Sequence, residues 1–217
     1  MIRHKTIYHP GSGEIIEKKS RFIATTAYVK TVEEAQDFIE KMKKKYWDAR
    51  HNCSAFCVGT DRVISRCSDD GEPGGTAGKP ILEVITGNGL YNTVIVVTRY
   101  FGGTLLGTGG LVRAYTQAAQ EGICNSVIVE KIPGKRITLS LDYTDLGKVQ
   151  YLLAQDQMLI ESTDYTDRVM IHCLFPDTDK DLMKKKITEA TGGRVKMEEE
   201  EEVYFGEAEG KVVVFEK

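Results

Sequence analysis

The chain has 217 residues, 41% of them hydrophobic and 28% charged, with a formal net charge of −3. That is the composition of a globular protein of one large or two small domains, and it excludes a strongly basic nucleic-acid binder. No apolar run approaches the ~20 residues that span a bilayer, and residues 1–13 carry no secretion-signal pattern, so a cytoplasmic location without a membrane partner is expected.

The charge is uneven. Residues 1–134 hold 17 Lys/Arg against 14 Asp/Glu, a net of +3, and residues 135–217 hold 12 against 18, a net of −6. The five cysteines are odd in number and form no CxxC, which fits reduced thiols. Cys53 and Cys57 share one face of a predicted strand, with His51 and Cys67 nearby. Zinc-type ligand pairs are missing, so no metal and no cofactor is expected.

In chain order, 14–17 and 22–29 read as strands. Thr31-Val32-Glu33-Glu34 reads as a capping box. The helix it opens has Val32, Ala35, Phe38, Ile39 and Met42 as its apolar face. Lys41, Lys43, Lys44 and Lys45 crowd its C-terminal end, where the macrodipole favours cations, and read as a solvated helix end. Residues 51–58 and 63–68 flank Gly59-Thr60-Asp61-Arg62 as a hairpin.

A first glycine loop follows, Asp69-Asp70-Gly71-Glu72-Pro73-Gly74-Gly75-Thr76-Ala77-Gly78-Lys79-Pro80, and opens a short helix in which Pro80 suits the first turn. Residues 93–98 carry the unbroken run Val94-Ile95-Val96-Val97 of a central strand. A second glycine loop, Arg99 to Gly110, opens a long helix with Leu111, Ala114, Tyr115, Ala118, Ala119, Gly122 and Ile123 on one face.

Lys131-Ile132-Pro133-Gly134 reads as a domain boundary. Beyond it, strand 136–141, helix 145–155, strands 158–163 and 169–175 with a turn at 164–167, helix 177–190 and a last strand or hairpin over 195–204 and 211–215 give the order βαββαβ. That is the ferredoxin-like split motif, and it makes the chain α+β. The acidic tract Glu198 to Glu202 reads as a solvated edge or loop.

The loops fit neither common nucleotide fingerprint. In the Walker pattern, Pro73 stands where the first glycine belongs and Pro80 where the Ser/Thr belongs. In the dinucleotide pattern, Gly107-Thr108-Gly109 reaches Val112 where the third glycine belongs. What remains is more general. Gly78-Lys79 and Gly107-Thr108-Gly109-Gly110 open helices, and free N-terminal amides attract anions. Lys79, Arg99 and Arg113, with Arg21, are the cations expected to line such a site. Asp69, Asp70, Glu72 and His51 are the candidate acid/base groups. The alternative is that Arg99 and Arg113 pair with Asp69, Asp70 or Glu72, which would make the loops a structural knot.

These motifs resemble the signature of the Impact family, closest to its bacterial YigZ/YvyE group. The resemblance rests on residues 68–82, on 99–103 with 107–115, and on Lys19-Ser20-Arg21-Phe22-Ile23 and Arg50-His51-Asn52. It implies an N-terminal domain, 1–131, of the ribosomal-protein/GHMP-kinase-like α/β sandwich type with helices on one face of a sheet. It also implies a C-terminal ferredoxin-like domain, 135–217, similar to the fifth domain of elongation factor G. Eukaryotic relatives act in translational control, and they carry an extra N-terminal domain of which these residues show no sign, so the partner of those relatives is not expected to carry over.

The expected function is therefore a translation-linked binding or regulatory factor contacting RNA or a ribosome-associated partner through the glycine-rich loops. The alternative is an enzyme or sensor for a small phosphorylated or carboxylated ligand held between them. No reaction is assigned.

Overall fold

A computed structural model describes residues 1–215. The chain divides into two compact units, one of His4–Val129 and one of Met1–Arg3 with the chain from Glu130 onward. No helix among the described residues is long and apolar enough to cross a membrane.

The first unit holds β1 (His4–His9), β2 (Ser12–Glu17), β3 (Ser20–Tyr28), α1 (Val32–Lys45), β4 (His51–Val58), β5 (Ile64–Ser68), α2 (Gly78–Gly87), β6 (Thr93–Tyr100) and α3 (Gly107–Cys124). Five of these strands form an antiparallel sheet in the order β2-β3-β6-β4-β5. The strand β1 is absent from the sequence reading, because HKTIYH carries polar residues at positions that the fold nevertheless buries.

The run 94–97 sits on the central strand β6, and both of its faces are covered. Ile95 and Val97 join the core beneath α2 and α3, with Phe22, Ala55, Ile81, Tyr115 and Ala118. Val94 and Val96 point the other way, onto Ala35 and Met42 of α1 with Phe56 and Val58. Helices therefore lie on both faces of the sheet, where the family resemblance implied one. The reason is physical. A strand apolar at every position exposes valine on whichever face is left open, at about 25 cal/mol per Å².

At the start of α1, Thr31 Oγ1 accepts from the Glu34 amide at 3.2 Å. Glu34 reaches back one residue further than a capping box requires and accepts from the Lys30 amide at 2.6 Å. Thr31→Ala is expected to cost about 1 kcal/mol in urea denaturation.

The second unit holds β7 (Val127–Leu141), which begins in the first unit, α4 (Tyr143–Gln155), β8 (Leu159–Tyr165), β9 (Val169–Pro176), α5 (Lys180–Thr191), β10 (Lys196–Ala208) and β11 (Lys211–Phe215). Its sheet order is β11-β10-β7-β9-β8, antiparallel at each pairing. Leu139, Val149, Ile171, Phe175 and Ile187 lie in one core, and Leu174, Val203 and Phe205 in a second.

Lys131-Ile132-Pro133-Gly134 lies inside β7 and does not interrupt it. Pro133 and Gly134 pair with Tyr204 and Val203 of β10. A Cβ on Gly134 would stand 2.2 Å from the Phe175 carbonyl oxygen, so this glycine permits a close approach between strands. The acidic tract is likewise part of a ladder. Glu199 pairs with Lys135 and Lys184, and Glu201 with Arg136. Hydrogen bonds from Lys135 and Lys184 push the Glu199 carboxyl down to about 2.

Candidate functional site

Strand pairing builds the floor of the site. Arg99, near the end of β6, faces Phe22 on β3 and His51 on β4. The first glycine loop, leaving β5, brings Glu72 over this point. Glu72 Oε1 accepts from Arg99 Nη1 at 2.6 Å and from the Tyr115 hydroxyl of α3 at 2.8 Å. The side chains of Arg99 and Glu72 are only 6% and 3% exposed, so the pair is enclosed. The guanidinium lies between two rings, 5.3 Å from Phe22 and 5.6 Å from Phe101. Burial pushes the Tyr115 phenol far up, so it stays protonated and donates. Cys53 Sγ lies 3.0 Å from the Asp69 carbonyl oxygen and 3.3 Å from the Tyr115 oxygen, and burial pushes that thiol up as well.

His51 Nδ1 is 2.8 Å from the Asp70 carbonyl oxygen. A carbonyl only accepts, so Nδ1 carries a proton, and Nε2 stands 3.9 Å from Glu72 Oε1. All the Glu72 side-chain contacts fall on Oε1, which leaves Oε2 without a partner among the described residues. Arg99 Nε is buried and also lacks one.

A cavity of about 340 Å³ opens on this cluster. Its polar walls are Arg50, His51, Glu72 and Arg99, and its apolar walls include Pro73, Phe101 and Leu105. Gly107 and Thr108, the first residues of α3, close one side.

The two helix openings differ. At α2 the anion is already present. Asp69 Oδ1 accepts from the amides of Ala77 at 3.0 Å and Gly78 at 2.8 Å, and Oδ2 accepts from Gly75 at 2.8 Å. Burial works to raise the Asp69 carboxyl, but these amides outweigh it and hold it below the ordinary carboxylate value. A Cβ on Gly78 would come within 2.8 Å of the Ser68 backbone, so this glycine is packed against the chain. At α3, no side chain among the described residues caps the first turn.

Lys79, Arg99 and Arg113 do not converge. Lys79 is 71% exposed and lies 3.9 Å from Glu83 on its own helix. Arg113 is exposed and stays outside the cavity lining, as do Gly109 and Gly110. Arg21 is held by Glu14 at 2.9 and 3.0 Å. Asp70 accepts from the Asn52 amide at 2.7 Å and lies 3.5 Å from Lys43, so it fastens the loop to β4 and α1. Around the cavity the structure gathers Arg99, Glu72, His51, Gly107 and Thr108.

Two residues joined the site unannounced. Tyr115 read as part of an apolar helix face and as the last residue of the family motif, and the physical clue was that a buried tyrosine hydroxyl requires a partner. Arg50 entered only through the family resemblance, although it directly precedes the histidine that faces Arg99. It is exposed and has no ion partner among the described residues.

Comparison with known proteins agrees with these motifs. The Impact N-terminal domain matches residues 18–123, and a domain of unknown function (DUF1949) matches 139–194. IMPACT family member YvyE of Bacillus subtilis is 41% identical over 203 residues, 94% of each chain. IMPACT family member YigZ of Escherichia coli is 37% identical over 182 residues, covering 83% of this chain and 89% of that protein. A crystal structure of a hypothetical protein superposes with a TM-score of 0.59 at 34% identity, covering 93% of this chain and 98% of that one. Identity of this extent along nearly the whole length places the chain in the IMPACT family.

Proposed function

We propose that this protein is a translation-linked binding factor that contacts RNA through the glycine-loop face of its N-terminal unit. The observation that carries this reading is the contrast between the helix openings. The opening of α2 is filled by Asp69, while that of α3 is uncapped and borders a cavity beside Arg50. Family membership supports the link to translation. The exposed faces of Trp47, 82% accessible, and Phe101, 42% accessible, suit base stacking.

The modular reading is part of the proposal. An Impact-type module over 1–131, similar to ribosomal-protein and GHMP-kinase domains, precedes a ferredoxin-like module over 135–217. The strand order β10-β7-β9-β8 with α4 and α5 supports the latter.

Arg50 and Arg113 are both exposed, so their removal should leave the fold intact. Each alanine variant is expected to weaken RNA binding and to lower the salt slope by about 1. Anisotropy titrations at several salt concentrations check this. Unchanged affinity and slope in the double variant would reject RNA as the partner and turn attention to a ribosome-associated protein. The size of the cavity, about 340 Å³, favours the second reading, a site for a small phosphorylated or carboxylated ligand.

A further inference from the structure

We infer that the cavity in front of α3 holds a single ribonucleotide, with its phosphate at the helix opening and its ribose hydroxyls on Glu72. The inference rests on the RNA-binding reading and specifies what part of the RNA is held.

The cavity sets the size. At about 340 Å³ it stands at the lower end of small-molecule pockets, so it takes one nucleotide and not a stretch of helix. Its unmet groups set the chemistry. On one side are donors. The amides of Gly107 and Thr108 open a helix that no side chain caps, and Arg50 has no ion partner among the described residues. Donors gathered in this way call for an anion rich in acceptor oxygens. A phosphate presents three or four, a carboxylate two.

On the other side is an acceptor. Glu72 lines the cavity with a side chain only 3% exposed, and its Oε2 has no partner among the described residues. That oxygen is reachable from the cavity and has no donor among the described residues, so it is free to accept from a ligand. It cannot face the phosphate, because like charges repel. It suits a hydroxyl, and carboxylates hold ribose hydroxyls in this way in other nucleotide sites. Arg99, bound to the opposite oxygen at 2.6 Å, fixes Glu72 in place. The Phe101 ring on the cavity wall offers a stacking face for the base.

A ligand with a phosphate, a neighbouring hydroxyl and an aromatic face is a ribonucleotide. It can come from a phosphorylated RNA end or from a free nucleoside monophosphate. An internal phosphodiester is disfavoured, because it offers these donors two free oxygens and one charge, where a terminal phosphate offers three oxygens and up to two charges.

The full chain is titrated by anisotropy with one internally labelled RNA decamer carrying a 5′-phosphate, a 3′-phosphate or hydroxyl ends. The same decamer with a 2′-deoxy terminal nucleotide forms a further arm, and thermal shift with the four nucleoside monophosphates forms the last. A terminal phosphate is expected to tighten binding at least tenfold, and the 2′-deoxy end to weaken it several-fold. Arg50→Ala should abolish the phosphate preference, and Glu72→Gln the ribose preference. If E72Q does not fold, the deoxy-ended decamer with the native protein tests the same contact.

Equal binding of phosphorylated and hydroxyl-ended RNA overturns this inference and leaves the RNA-binding reading standing. Equal binding of ribo and deoxy ends overturns the role of Glu72. Stabilisation by a nucleoside monophosphate without binding of any decamer supports the cavity as a nucleotide site and overturns the RNA reading. No effect in any arm overturns both.

Discussion

Glu72→Ala is expected to destabilise the protein by about 3–5 kcal/mol, the usual cost of leaving one charge of an enclosed pair alone. Among the described residues, Glu72 is the sole carboxylate on Arg99, whose side chain is 6% exposed and whose Nε already lacks a partner. The same substitution removes the acceptor of the Tyr115 hydroxyl, which burial keeps protonated. Surface ion pairs of similar length contribute about 0–1 kcal/mol, so burial decides the size of the effect. Glu72→Gln keeps an acceptor for Tyr115 and loses only the counter-charge, and it should cost less. The double variant Glu72→Leu with Arg99→Met should regain most of the loss, because it removes both charges from the enclosed site. Urea denaturation of the single and double variants gives the coupling directly. A loss below about 1 kcal/mol for E72A would mean that water reaches the pair through the cavity.

The parts of this site legible in the sequence were those carried by backbone pattern. The run 94–97 required a central strand, and the 3.6-residue apolar spacing after Gly110 required a packed helix. Arg99 and the opening of α3 followed from those two elements. What stayed hidden depends on tertiary register. That His51 stands beside Arg99 follows from the pairing of β4 with β6, which neither strand announces alone. Asp69, Asp70 and Glu72 are nearly adjacent and chemically alike, yet they do different work. Asp69 caps a helix, Asp70 fastens a strand amide and only Glu72 faces the cavity. The difference comes from the direction in which a glycine-rich loop turns each side chain, and composition does not encode that. The covering of both sheet faces was implicit in the same valine run, since a strand apolar on both sides demands it, although the family resemblance pointed to one.

Asp69→Ala is expected to be the other large loss, about 2–4 kcal/mol, with a dependence on pH that identifies its origin. One carboxylate holds the amides of Gly75, Ala77 and Gly78, and hydrogen bonds to a charged group contribute about 1.5–3 kcal/mol each. They share one acceptor group, so their sum falls short of three independent bonds. Among the described residues, α2 has no other side-chain cap. Because the folded protein holds the Asp69 carboxyl below its ordinary value, its contribution is complete above the unfolded value of about 3.9. It is lost as the pH falls through the lower, folded value. The gap in stability between native protein and variant should therefore be widest near neutral pH and narrow below about pH 4. A loss from side-chain packing alone would stay constant over that range. Asp69→Asn, which keeps one carbonyl acceptor for Ala77 and Gly78 but turns a donor toward Gly75, should fall between the two and show little narrowing. Since residues 69–78 also carry Glu72 over Arg99, amide exchange of Ala77 and Gly78 in D69A should quicken together with exposure of the Arg99 pair. Quickening confined to α2 would show that the loop keeps its path without the cap, and that the cavity depends on the Glu72–Arg99 contact alone.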